Sequence, residues 1–205
     1  MSERTIVAVS AGLGQPSSTR LLADRLSESA IAELGQRGVS AQVETVELRD
    51  VAHEIINAML TGFPTGALRE VLEKVTGADG LILVTPLFTT TYSGLFKSFV
   101  DILDKDSLVD MPVLLGATGG TPRHSLALEY SMRPLFTYLR ADVATTSVFA
   151  ATDDWAGEGD KVNPLPARIQ RAGRELAEMV AARENSGPAD LYDDVPTFDQ
   201  MLGNL

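Results

Sequence analysis

The sequence predicts an α/β sandwich, a parallel sheet with helices on both faces, and three observations carry that prediction. Residues 5–9 (TIVAV), 81–84 (LILV) and 111–117 (MPVLLGA) are near-continuous apolar runs, as strands covered on both faces require. Stretches with apolar residues at helical spacing separate them, so strands and helices alternate along the chain. Each run ends in a loop of Gly, Ser, Thr or Pro, and in open α/β sheets such strand ends are where ligands bind.

The first strand, 5–9, passes through the loop SAGLGQPSST into a helix over about 19–36, with Leu21, Leu22, Leu26, Ala30 and Leu34 on one face. Gly35 and Gly38 end it. Residues 43–48 (VETVEL) alternate apolar and polar, a second strand nearer an edge. Two short helical patterns follow, HEIINAML (the weaker) and ALREVLEKVT, separated by TGFPTG. The third strand, 81–84, is expected to stop at Pro86, and residues 87–92 form a hydroxyl-rich loop. Ser93-Gly94 opens a helix with Leu95, Phe96, Phe99 and Val100 on one side, where Lys97 and Asp101 form an i,i+4 pair on the other. A fourth strand at 111–117, a helix at roughly 125–139, a fifth strand at 143–150 and a last helix at about 167–183 complete a domain of residues 1–185. Residues 186–205 read as an acidic, solvated tail. Five parallel strands fit the flavodoxin-like order 2-1-3-4-5, a three-layer sandwich.

Composition narrows the function. The chain has 205 residues, enough for one domain with a substantial core. Its formal net charge of −11 argues against nucleic acid and against anionic membrane surfaces. Cysteine is absent, which removes disulfides, thiolate metal sites and Cys nucleophiles; two histidines, His53 and His124, disfavour a histidine metal site. The charged start MSERTIVAVS is unlike a signal peptide, so a cytoplasmic location is expected.

In the order 2-1-3-4-5 the loops after strands one, three and four meet at one crevice. The first offers Ser10, Gly12, Ser17, Ser18 and Thr19 with a helix N-terminus, which suits a phosphate. It lacks GxxxxGK[ST], and Gly12-Leu13-Gly14 without a third glycine is a weak dinucleotide signal. The bland alternative is an N-capped helix after a flexible turn. In the second, Pro86, Leu87, Phe88 and Thr89 could present amides and hydroxyls to a planar ring and a polyol chain; otherwise it is a threonine-rich turn. In the third, Thr118, Gly119 and Gly120 allow a flat ligand close to the backbone, and a tight turn is the alternative. No catalytic triad or paired carboxylates accompany these loops, and His124 reads equally well as a solvated loop residue. In the 125–139 helix, Leu128, Met132, Leu135 and Leu139 form a core row, while Leu126, Tyr130 and Tyr138 form a second stripe suited to an oligomer interface.

Two long motifs stand at these strand ends in order: Thr85-Pro86-Leu87-Phe88…Tyr92-Ser93-Gly94…Lys97…Asp101-Ile102-Leu103, and Ala117-Thr118-Gly119-Gly120-Thr121-Pro122-Arg123-His124-Ser125-Leu126…Glu129-Tyr130…Arg133-Pro134-Leu135. Over about residues 4–150 the chain resembles the NAD(P)H-dependent FMN reductases of the flavodoxin-like superfamily, particularly those serving two-component alkanesulfonate or luciferase-like monooxygenases. The resemblance implies that FMN phosphate lies on Ser10, Ser17, Ser18 and Thr19, the ribityl chain and ring along Pro86 to Thr89, and the pyrimidine edge at Thr118 to Gly120. It implies hydride transfer from NADPH or NADH to FMN without a catalytic protein acid or base. It also implies a homodimer or homotetramer built on the 125–139 helix, a π-type bulge at Tyr130, and a monooxygenase that takes the reduced FMN. Two departures stand out. Relatives often carry an arginine in the phosphate loop, where this chain has GQPSS and Arg20 as the first cation; Phe88 replaces a common tyrosine. A weaker hold on phosphate would suit a reductase that releases its flavin. A tightly FMN-bound quinone or azo reductase and a flavodoxin-like electron carrier are the alternative readings.

Overall fold

The computed structural model describes residues 3–183, so the tail at 186–205 lies outside the described residues. The first half runs β1 (Arg4–Ser10), α1 (Ser18–Gln36), β2 (Ala41–Glu47), α2 (Ala52–Thr61), α3 (Ala67–Thr76), β3 (Gly80–Phe88), β4 (Thr91–Tyr92) and α4 (Gly94–Asp101). The second runs β5 (Pro112–Gly119), α5 (Arg133–Tyr138), β6 (Asp142–Val143), β7 (Val148–Ala151), α6 (Thr152–Trp155) and α7 (Leu165–Ala182).

Alternation within the central strands builds the layers. Ile6, Ala8, Ile82, Val84 and Leu114 point to one side, where they bury against Leu22, Leu26 and Leu34 of α1 and Ala172, Leu176 and Val180 of α7. Val7, Val9, Leu81, Leu83, Val113 and Leu115 point to the other, against α2, α3, α4 and α5. There Phe96 meets Phe136 edge-on, ring centroids 6.2 Å apart. Each fully buried side chain of this size contributes about 1.5–3 kcal/mol. Leu21, expected on the buried face of α1, is exposed; Leu22 and Leu26 carry that face.

The strand order is β2-β1-β3-β5-β6, all parallel, which is the expected 2-1-3-4-5 path. The sheet nevertheless has seven strands rather than five. Two departures account for the difference. The expected fifth strand is broken: β6 pairs with Pro112 and Val113, and β7 pairs with 116–119, both along β5. Side chains from elsewhere take the backbone between them. Glu175 accepts from Thr146 N at 2.6 Å and from its hydroxyl at 2.7 Å, while Arg133 donates to the carbonyls of Ala144 and Thr145 at 3.0 and 3.1 Å. The second departure is at Pro86, which does not end β3. It forms the last pair with β5, opposite Thr118, where a missing N–H interrupts little of the ladder. The chain continues extended to Phe88, turns at Thr89-Thr90 and returns as β4, pairing Leu87 with Tyr92.

The segment expected as one helix over 125–139 is composite. A 3-10 turn at Pro122–His124, capped by Thr121, precedes a π-helical turn at Leu128–Met132 and then α5. Pro134 lacks the N–H that would bond the carbonyl of Tyr130, so the regular ladder cannot pass this point. The wide turn centred on Tyr130 matches the bulge the resemblance implied. The weak pattern HEIINAML does form a helix, α2, stopped by Gly62 at φ +78°. Lys97 and Asp101 pair at 2.5 Å as expected.

Candidate functional site

The loops after β1, β3 and β5 converge on a cleft of about 470 Å³, within the range that holds small ligands. Of the residues singled out in the sequence, Gly12, Ser17, Ser18, Thr19, Pro86, Leu87, Phe88, Thr118, Gly119 and Gly120 line it. Ser10 and Thr89 do not. Ser10 is fully buried beneath the first loop, its hydroxyl 3.4 Å from the Gly12 N–H, and Thr89 sits exposed at the hairpin tip. His124 is exposed and outside the cleft.

The first loop is fixed from both ends. Ala11 N donates to Val84 O at 2.9 Å, anchoring the loop to β3. Ser17 caps α1 by accepting from Arg20 N at 3.2 Å, and its hydroxyl hydrogen remains available to donate. The loop folds so tightly that a Cβ on Gly12 would lie 2.1 Å from Ser17 Oγ. Any side chain there would displace the Ser17 hydroxyl from its cap. Thr19 is buried, and its hydroxyl pairs with that of Thr118 at 2.9 Å, tying the first loop to the third.

The second wall rests on a buried hydroxyl pair. Thr85 Oγ1 accepts from Ser93 N at 3.1 Å, and Ser93 Oγ caps α4 by accepting from Phe96 N at 3.2 Å. Above this base, Pro86 and Leu87 are half-buried and Phe88 is 47% exposed, an apolar ledge beside the cleft. In the third loop a Cβ on Gly119 would lie 2.9 Å from the ring of Phe149, so backbone alone forms that edge.

Sequence reasoning missed Ala150, Thr152 and Trp155, which close the cleft from the end of β7. Their place after a parallel strand was the available signal, since that end of the sheet carries the ligand. Trp155 is held indirectly: Asp154 accepts from Ala151 N at 2.8 Å and from Arg168 Nη2 at 2.6 Å. A larger hollow of about 660 Å³ between α1 and α7 shares Trp155 but none of the three loops. It is the loops, with their converging amides and hydroxyls, that mark the site.

None of the described residues lining the cleft is charged. Arg20, the first cation after the loop, turns aside to Asp24 at 2.7 Å and Glu47 at 2.8 Å. The hydrogen bond it donates to Asp24 foremost, then that to Glu47, raises its pKa above the ordinary arginine value. An anion here meets neutral hydroxyls, backbone N–H groups and the α1 N-terminus. Such a set fits a phosphate, and the apolar ledge and glycine edge fit a flat ring. Among the described residues lining the cleft, the polar side chains are serine, threonine and tryptophan.

The fold defines a flavodoxin-like α/β protein, with the candidate cleft at the carboxyl ends of the strands. An archaeal flavodoxin superposes with a TM-score of 0.55 at 13% identity over 87% of this chain and 99% of its own, which speaks for the fold alone. The model of the NADPH-dependent FMN reductase family matches residues 4–156, and the chain belongs to that family. It is 36% identical to the FMN reductase (NADPH) of Pseudomonas aeruginosa over 87% of this chain and 93% of that protein. It is 34% identical to the NADH-dependent FMN reductase SfnE of Pseudomonas putida, over 86% and 92%. An oxidoreductase from Corynebacterium diphtheriae has a TM-score of 0.84 at 44% identity, covering 88% of this chain and 98% of its own. The expected class of enzyme, an NAD(P)H-dependent FMN reductase, is that of the matching family and of the two Pseudomonas relatives.

Proposed function

We propose that the protein uses NADPH or NADH to reduce FMN in this cleft, and that the reduced flavin leaves for a flavin-dependent monooxygenase. The observation that carries the proposal is the convergence of a neutral amide-and-hydroxyl loop, an apolar ledge and a glycine edge on one cleft. Gly12, Ser17 and Ser18 would hold the phosphate, with Ser10 and Thr19 supporting the loop from below. Pro86, Leu87 and Phe88 would flank the ribityl chain and ring, and Thr118 to Gly120 the pyrimidine edge. When bound, FMN supplies the hydride acceptor. The chain's own task is to orient the ring and leave one face open to the nicotinamide, which needs no acid or base from the protein.

A dianionic phosphate held without a lysine or arginine is held loosely compared with a charge-paired one. That supports FMN as a released substrate, and release is what a monooxygenase partner needs. The exposed Leu126, Tyr130 and Tyr138 support assembly into a homodimer or homotetramer. None of the described helices is long and apolar enough to cross a membrane. A cytoplasmic location, where reduced nicotinamide nucleotides are made, goes with this reading. The decisive assay mixes the protein with FMN and NADPH or NADH. Loss of 340-nm absorbance that requires FMN is expected, and no loss with either nucleotide would refute the proposal.

A further inference from the structure

Arg49 lies in a 3-10 turn just after β2, outside the cleft, yet its guanidinium reaches the phosphate loop. Nη1 donates to the carbonyl of Gly14 at 2.8 Å. With the Gln15 carboxamide turned oxygen-first, the same guanidinium donates to it at 2.7 and 3.3 Å. Glu47 lies against Arg49 as its counter-charge, Oε2 2.7 Å from Nη2 without hydrogen-bond alignment, and its other oxygen accepts from Arg20. Arg49 is only 18% exposed and Glu47 13%, so the pair is largely shielded from water.

The Gly14–Gln15 peptide is trans. In a planar trans peptide the carbonyl and the following N–H point in opposite directions. Drawing Gly14 O onto Arg49 therefore turns the Gln15 N–H to the side away from Arg49. The flanking residues, Gly14 and Pro16, line the cleft. Resting on the reading of this cleft as a flavin site, we infer that Arg49 is a positioning residue for phosphate recognition. It acts behind the loop, holding the Gly14 carbonyl outward so that the Gln15 N–H faces the phosphate, with Glu47 beside it as counter-charge. The cation that the loop itself lacks thus serves the site through the backbone, without touching the ligand.

The test compares FMN with riboflavin, which has the same ring and no phosphate. In the full-length protein, Arg49→Met is expected to raise KM for FMN about tenfold and KM for riboflavin less than twofold, with kcat for FMN nearly unchanged. Arg49→Lys, one donor group in place of a fork, should fall between. Equal shifts for both flavins, no shift for FMN, or a Lys variant matching the parent would each overturn the inference; the last would show a role for charge alone. If the Met variant does not fold, Arg49→Lys and Glu47→Gln carry the comparison, and unchanged FMN-to-riboflavin ratios in both overturn it. Flavin fluorescence quenching measures the same ratio without turnover. A parent protein that binds FMN but oxidises neither nucleotide would refute the reductase reading and leave the Arg49 result standing on its own.

Discussion

Thr89 and Thr90 turn the hairpin between β3 and β4 with φ of +49° and +75°. Both angles lie in the left-handed region, which costs a residue with a Cβ about 1–2 kcal/mol, and β-branched residues suit it least. A two-residue hairpin with positive φ at both positions ordinarily takes Asn-Gly. The double substitution Thr89→Asn/Thr90→Gly should therefore stabilise the protein by about 1 kcal/mol, raising Tm by roughly 2–4 °C for a chain of this size. Thermal unfolding followed by circular dichroism checks it, and a fall in Tm would show that the threonine side chains offset the strain. Residue-level legibility was uneven. Gly12 and Gly119 could be marked from their place after strands, and the structure gives each a reason in Ser17 and Phe149. The Thr19–Thr118 pair could not, because it joins positions 99 apart whose meeting depends on the register of β1, β3 and β5.

The composite helix from Pro122 to Tyr138 is the element most altered from its sequence pattern. Its wide turn sets Tyr130 on the surface, 78% exposed, and the same segment exposes Tyr138 at 76% and Leu126 at 59%. Three large apolar groups on one short segment are more than a solvated face needs. Tyr130→Asp should shift the protein to a smaller species in size-exclusion chromatography with light scattering, with the monomer's secondary structure kept. A parent that already runs as a monomer would refute the interface. Periodicity supplied the two stripes here in part: Leu128, Met132 and Leu139 of the expected core row are buried, Leu135 only partly so, and Leu126 and the tyrosines face out, while the fully buried Phe136 was not marked by the pattern. It could not supply the pitch change, because the cause is a missing N–H at Pro134 rather than a hydrophobic pattern.

At the scale of the whole molecule, Arg133 links that segment to the broken fifth strand. It pairs with Glu129 at 2.5 Å and donates to Ala144 O, Thr145 O and Ser147 Oγ. The hydrogen bond from Arg133, above all, holds the Glu129 carboxyl below its ordinary pKa, against the opposing effect of burial. A depressed carboxyl contributes stability above its unfolded pKa of about 4.3 and loses it as pH falls through the folded value. Arg133→Met should thus cost about 2 kcal/mol at pH 7, the scale of a charged hydrogen bond lost chiefly at the buried Ala144 carbonyl, since Thr145 and Glu129 are exposed and contribute less. The deficit against the parent should narrow below about pH 4, leaving the carbonyl contribution; a deficit independent of pH would exclude the Glu129 pair. The layer order and strand path were legible because buried strands announce themselves as apolar runs. The break in the fifth strand was not, since the groups that hold it open, Arg133 and Glu175, are side chains of the helices before and after it, α5 and α7, and strand periodicity carries no sign of them. That break has a consequence for solubility. An edge strand is a template on which another chain can pair, and aggregation rises with the length of its unpaired backbone. Interrupting β6 and β7 with backbone already claimed by Glu175 and Arg133 leaves this margin of the sheet no uninterrupted run longer than the four residues of β7, too short a template for a foreign strand to extend.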